Sequence, residues 1–445
     1  MKPIALTLTL LTVAACGDDN SQPATATPHT FTVHIDNVAP WTVLKSGAQK
    51  MKTSGMAGPI GSGEAYDISF TAGKGQAVSF VTMLGESNDW FFAPGPAGIA
   101  LYDAAGTPVT GDVTAQVGLW NAGTEIDQEP AVGLDTGPMQ TLPTQGAPDS
   151  DPTVRAIGPT IALSDGTVFM VPAISTMLKV TLTYPGNQVF TLHIENVSTA
   201  TTMHTTLGDR AVHASPVLWA LHWIAAPNAL FTPGVADRNQ GLEGIAESGN
   251  TDRLALSMAE LSGAATPISP LFAVVRASGE PLYSVGQPDR GQGLEQLAES
   301  GNTAMLGMAI PGGMIVNTPI SAAMPGPAQP GQAFEFAVSA KPGDRLSFAT
   351  MFGTSNDWFF GTPPAGIPLF GADGQPMGGD VTDMLSLYDA GTEIDQEPGI
   401  GPDTGPQQMI PDQGQADPIH QVHEVPASQY GRPPSAHLRV TLMAM

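Results

Sequence analysis

The chain has 445 residues, enough for two domains that each bury a core. Asp and Glu number 41 against 16 Lys and Arg, and the formal net charge of -25 repels nucleic acid and anionic lipid surfaces, which are set aside as partners. With 51 Gly, 41 Pro and only 13% charged residues, the chain is punctuated too densely for a helical protein and reads as short strands joined by turns.

Lys2, an apolar run from Pro3 to Val13 and the small pair Ala14-Ala15 before Cys16 follow the order of an export signal, too short to span a bilayer permanently. Val13-Ala14-Ala15-Cys16 also resembles the lipobox of bacterial lipoproteins. That resemblance implies a signal peptide over 1–16 with a lipidated Cys16, and an exported, membrane-anchored chain, periplasmic or at the cell surface, that meets the membrane through its lipid anchor only. Cys16 is the only cysteine, so no disulfide and no thiolate site for zinc or nucleophilic catalysis is expected. The Ser/Thr/Pro-rich stretch over 17–29 reads as a flexible linker.

Beyond the linker the sequence repeats. Phe31 to Val38 alternates apolar and polar residues as a half-buried strand does, and it returns as Phe190 to Val197, 159 residues on (190 less 31). Tyr66 to Phe70 alternates in the same way. Gly85-Glu86-Ser87-Asn88-Asp89-Trp90-Phe91-Phe92 recurs as Gly353-Thr354-Ser355-Asn356-Asp357-Trp358-Phe359-Phe360, a separation of 268 (357 less 89). Asn121-Ala122-Gly123-Thr124-Glu125-Ile126-Asp127 returns at the same separation as Asp389-Ala390-Gly391-Thr392-Glu393-Ile394-Asp395. The strand Met177 to Thr183 matches His437 to Leu442 near the end of the chain.

The shorter separation of the first pair leaves about a hundred residues extra in the second copy. Within them Gln240-Gly241-Leu242-Glu243 and Ala246 to Asn250 are echoed by Gln292-Gly293-Leu294-Glu295 and Ala298 to Asn302, a doubled unit with short helices expected at Leu242 to Glu247 and Leu294 to Glu299. The pattern predicts two antiparallel sandwich domains in tandem: a short one over 30–186 without the insert, and a complete one over 187–445 with a duplicated insert at 215–310.

The Ser-x-Asp-Trp-Phe motif, followed about thirty residues later by Asp-Ala-Gly-Thr-Glu, resembles the spondin N-terminal domain. In the second copy Ser215-Pro216-Val217-Leu218 and Gly241-Leu242-Glu243-x-x-Ala246-Glu247 add to the likeness, whereas the first copy matches only in its outer strands and the two motifs. The resemblance implies an all-β, C2-like β-sandwich and Ca²⁺ held by Asp357, Asp389 and Glu393. In the first copy the corresponding set is Asp89, Asn121 and Glu125. There the amide Asn121 departs from the pattern, and an amide oxygen lacks a carboxylate's charge, so that site is expected to be weaker or empty.

The residues support this reading independently and also allow duller ones. Gly391 permits a sharp turn that lets the acidic ends of its loop converge on a hard cation, which takes six to eight oxygens. Asp389 could equally cap an Asx-turn, with Glu393 a solvated charge. Asp395, Glu397 and Asp403, with Asp127, Glu129 and Asp135, either belong to a second ion or face water, with water the favoured reading, and Trp90, Phe91, Trp358 and Phe359 are expected to lie in the core. His420 and His423 lack the further ligands of a zinc site. No hydrolase elbow, phosphate loop or metalloprotease helix occurs. The expectation is a Ca²⁺-ordered binding or adhesion module for an extracellular macromolecule or glycan, and not an enzyme. The alternatives are a carbohydrate-active hydrolase using Asp357 and Glu393, or a first domain that merely spaces the second from the membrane.

Overall fold

The computed structural model describes residues 27–39, 41–140, 142–224, 228, 230–264, 266–408, 410–426 and 433–445. The signal segment, Cys16 and most of the linker lie outside the described residues. The chain is 36% strand and 11% helix, with antiparallel sheets in two groups, an all-β pair of sandwiches.

In the first unit a four-stranded sheet runs in the order Ala65–Thr71, Val189–Asn196, Leu178–Gly186, Gly111–Asp112. It faces a larger sheet ordered Lys45–Gln49, Val217–Trp223, Gln76–Met83, Trp90–Pro94, Val117–Asn121, Arg155–Ala156. The outer sheet alternates, with Leu178, Val180 and Leu182 turned inward and Lys179 outward, because one of its faces is solvated. Gln76–Met83 is buried along its whole length. One face packs into the inter-sheet core with Phe80 and Trp90, and the other is covered by helices Leu242–Ser248 and Asp252–Leu261, which seal Phe91, Trp120 and Phe231 in a second apolar cluster.

The second unit repeats this plan. Ala333–Ala340, His29–Asn37, Leu438–Ala444 and Gly379–Asp380 form its outer sheet. Gly313–Val316, Leu271–Arg276, Arg345–Met351, Trp358–Gly361, Ser386–Asp389 and His423–Glu424 form the inner one, and helices Leu294–Ser300 and Ala304–Ala309 lie over it.

The pairing corrects the tandem division. The opening strand His29–Asn37 lies in the second unit, between Ala333–Ala340 and Leu438–Ala444, with Ile35 opposite both Phe334 and Val440. Its repeat Val189–Asn196 pairs with Ala65–Thr71 and Leu178–Gly186 of the first unit. The boundary expected at 186/187 falls inside a tight hairpin: Asn187 and Gln188 both have positive φ, the backbone of a two-residue turn joining paired strands. The insert at 215–310 is divided as well. Its first half packs on the first unit through Val217–Trp223, which pairs with Lys45–Gln49 and Gln76–Met83, and its second half packs on the second unit. Each unit therefore owns a complete insert, and the first unit is set into the second after that unit's first strand. Asn37 and Asn196 mark the equivalence: each amide donates to two carbonyls, those of Thr266 and Ala328 in one unit and of Ile60 and Val212 in the other.

The units touch beside the acidic loop of the second. Glu397 pairs with Lys45, Gln76 Nε2 donates to the Gly399 carbonyl at 2.6 Å, and Gln407 Nε2 donates to the Lys74 carbonyl at 3.2 Å.

Candidate metal centre

The two sequence motifs recur together because they bond to each other. Ser355 Oγ accepts from the Trp358 N–H at 3.0 Å and donates to the Phe352 carbonyl at 2.7 Å, closing the turn that holds Asp357 between them. Asp357 Oδ2 then accepts from the Thr392 N–H at 2.9 Å, the Thr392 hydroxyl at 3.1 Å and the Glu393 N–H at 3.0 Å. Asn356 Nδ2 reaches the Ile394 carbonyl at 2.9 Å, and the buried Trp358 ring sends Nε1–H to Asp395 Oδ1 at 2.6 Å. Gly391 makes the turn possible: its φ is +67°, and a Cβ there would stand 2.3 Å from the Gln421 carbonyl oxygen.

This framework brings Asp357, Asp389 and Asp395 together, with one carboxylate oxygen from each lying within 4.8 Å of the others. Asp357 and Asp389 are 0% and 1% exposed, and Asp395 stands at the surface rim. Asp389 Oδ1 accepts from the Gly391 N–H, and Asp389 Oδ2 is 3.7 Å from His423 Nε2. His423 Nδ1 contacts the Gln421 carbonyl at 3.1 Å. A carbonyl only accepts, so that nitrogen carries a proton and Nε2 is the one that faces Asp389.

Burial raises the pKa of Asp357. It raises that of Asp389 too, where the charges of Asp357 and Asp395 add to the effect. Asp357 Oδ1 is buried without a hydrogen-bond partner. Three convergent carboxylates, one of them with an orphaned buried oxygen, fit a bound cation, and an oxygen-dominated set suits a hard one.

The first unit answers part of the same electrostatic problem with protein atoms, although Asp89 Oδ1, like Asp357 Oδ1, is buried without a hydrogen-bond partner. Asp89 is cradled by the Thr124 and Glu125 N–H groups as Asp357 is by their counterparts, and Trp90 Nε1 donates to Asp127 Oδ1 at 2.6 Å. At the position of Asp389 stands Asn121, whose Nδ2 donates to Asp127 at 2.8 Å. At the position of His423 stands Arg155, bonded to Asp149 and, at 3.4 Å, to Asp127. A guanidinium and an amide N–H occupy the neighbourhood that the second unit fills with carboxylate and imidazole.

The structure redistributes the sequence-derived ligand set. Asp357 and Asp389 converge, but Glu393 turns away to accept from Gln408 Nε2 and the Gly414 N–H, both at 2.8 Å, and Asp395 completes the triad. Asp395 is exposed, as the favoured reading has it, yet one of its oxygens joins the pair; the signal for this was its fixed distance from the Trp whose ring N–H donates to it. Glu125 likewise faces Gln140 and Gly146. Asp403 and Asp135 brace the loop against Gln396 and Gln128. No protein-family model matches this chain, and no curated protein matches it.

Proposed function

We propose that the chain is an exported, lipid-anchored surface module of spondin-like type, in which Ca²⁺ at Asp357, Asp389 and Asp395 orders loops that engage an extracellular macromolecule or glycan. The observation that carries this reading is the exchange between the units: where the first places Asn121 and Arg155, the second places Asp389 and His423, so that three carboxylates converge where a bound cation would stand in for the guanidinium. The loops around the triad display Ile394, Ile410 and Ile419, which are 39%, 63% and 65% exposed, an apolar surface available to a ligand once the loops are fixed. Asp357 and Glu393, the pair a hydrolase would use, are 0% and 2% exposed, which favours an ordering ion over a substrate cleft. The first unit's own insert removes one reason for regarding it as a mere spacer.

The test is calorimetric titration of the full chain carrying Cys16→Ser with Ca²⁺, alongside thermal melts. Binding with Kd in about the 10⁻⁴ to 10⁻³ M range is expected. It should raise the melting temperature by an amount equivalent to about 2.7 kcal/mol at a hundredfold excess over Kd, and Asp389→Asn should remove that site's contribution. Absence of both heat and a melting shift in the parent chain would overturn the reading.

A further inference from the structure

A second set of orphaned oxygens lies beside the triad, and it is present in both units. In the second unit Glu299, from the helix Leu294–Ser300, accepts from the Asp412 N–H through Oε2 at 2.8 Å, and Glu393 accepts from the Gly414 N–H through Oε1 at 2.8 Å. One amide joins them: Gln408 Nε2 is 2.8 Å from Glu393 Oε1 and 3.4 Å from Glu299 Oε2. Each of the three side chains then leaves one oxygen buried and unpartnered: Glu299 Oε1, Glu393 Oε2 and Gln408 Oε1. The residues are 0%, 2% and 4% exposed.

The first unit repeats the arrangement, except that the Gln140 amide reaches Glu125 alone. Thr144 N–H donates to Glu247 Oε2 at 2.6 Å, and Gly146 N–H donates to Glu125 Oε1 at 2.7 Å. Gln140 Nε2 donates to Glu125 Oε1 at 2.8 Å, and Glu247 Oε1, Glu125 Oε2 and Gln140 Oε1 are orphaned. Gly146 and Gly414 are needed for this approach, since a Cβ at either would stand 2.6 or 2.4 Å from the orphaned glutamate oxygen.

A buried acceptor left without a partner costs about 1–3 kcal/mol, and more when charged, so three such oxygens in each unit call for a ligand. Burial is the main cost to the charged glutamates; the Thr124 and Thr392 hydroxyls and the backbone N–H groups offset part of it, while other carboxylates, Glu125 and Glu243 on Glu247 and Glu393 and Glu295 on Glu299, add to it. Arg155, which serves the triad position of the first unit, is not among the groups bonded to Glu125 or Glu247. An all-oxygen set of two carboxylates and one amide carbonyl is the chemistry of a hard divalent cation, with water completing the shell.

We propose that each unit holds such a cation at this second place, between Glu125, Gln140 and Glu247 in the first and Glu393, Gln408 and Glu299 in the second. The ion fastens the helical insert to the loop that follows the acidic motif. This goes beyond the triad reading, because it places an ion in the first unit and gives Glu393 a different one.

Equilibrium dialysis of the full chain with Cys16→Ser against Ca²⁺, followed by elemental analysis, counts the ions. Three per chain are expected, two after Asp389→Asn and one after the double substitution Glu247→Gln with Glu299→Gln. If the triad reading alone fails, the parent holds two, Asp389→Asn changes nothing, and the double variant holds none. A parent count of one or none overturns the second sites without any variant, as does a double variant that keeps the parent count. Melts in chelator separate binding from folding: loss of buried carboxylates leaves the double variant at least as stable there as the parent, whereas a protein that uses the pair as a shared-proton hydrogen bond melts lower in chelator and gains as much from Ca²⁺ as the parent.

Discussion

Replacing Ile35 by Ala tests which unit the opening strand completes. Ile35 is 0% exposed and sits between Phe334 and Val440 in the outer sheet of the second unit. The substitution deletes three carbons, about 2.4 kcal/mol at ~0.8 kcal/mol each, and the residual cavity brings the cost to about 3 kcal/mol. At 1.4 kcal/mol per factor of ten, amides that exchange through opening of that unit should exchange roughly 100-fold faster. Hydrogen exchange with mass spectrometry should show this in Ala333–Ala340, Arg345–Met351 and Leu438–Ala444, with Ala65–Thr71 and Leu178–Gly186 unchanged. Acceleration confined to the latter pair would mean that the strand belongs to the unit nearest it in sequence, and the pairing described above would be wrong.

Rebuilding the first unit's site as Asn121→Asp with Arg155→His should create a cation site there. In chelator the variant should lose about 3–5 kcal/mol, the cost of stranding buried charge, and Ca²⁺ should restore its melting temperature; a variant indifferent to Ca²⁺ would contradict the triad argument. Burial lifts Asp89 and Glu299 to about 8 and Glu247 to about 7. The native state therefore binds more protons than the unfolded chain between roughly pH 4 and 8, and stability in chelator should fall as pH rises through that window. Urea titrations should show the fall, and millimolar Ca²⁺ should remove the part due to Glu247 and Glu299 while leaving that of Asp89. Trp358→Phe keeps the buried ring but removes the donor to Asp395, a charged hydrogen bond of about 1.5–3 kcal/mol; Ca²⁺ affinity at the triad should change measurably while the far-ultraviolet circular dichroism does not. Gly391→Ala should cost at least about 1–2 kcal/mol from its left-handed backbone alone, and a melting temperature equal to the parent's would show that the turn can relax.

Much of this was legible in the residues. Alternation in Phe31 to Val38 and Met177 to Thr183, the density of Gly and Pro, and the equal 268-residue separations give two antiparallel sandwiches, because period-two burial is a local property of a strand. Partner choice is not local. Val33 and Leu192 carry the same inward pattern, and nothing in either strand says which sheet receives it; the short turn at Asn187 and Gln188 decides by pairing Leu178–Gly186 with the strand that follows it. The helices Asp252–Leu261 and Ala304–Ala309 were not expected, since their apolar stripes are short and only packing on the inner sheet orders them. At the site, Asp357 and Asp389 followed from the motifs. The exchange of Glu393 for Asp395 did not, because it depends on a Trp N–H holding one acid at the rim of the triad and a Gln amide drawing the other away. Glu247 and Glu299 lie far from the motif in sequence and reach the site only because their helices lie over the inner sheet.

The setting of one unit inside the other bears on how a nascent chain acquires its shape. Residues 43–262 hold every strand of the first unit, so that unit can condense while the strand at 29–37 still waits for partners near 440. At about 5–20 residues per second the stretch from 262 to 440 takes roughly a further 10–35 s. The folded first unit shortens the search that follows, because its own ends are tied: the Val43 N–H bonds to the Leu261 carbonyl and the Gly263 N–H returns to Val43. Asn37 then meets Thr266 across a loop of effectively about ten residues in place of 229 (266 less 37), which lowers the closure entropy by about 3 kcal/mol. The inserted unit acts as a clasp for the other, and lesions that unfold the first should slow assembly of the second even where the two do not touch.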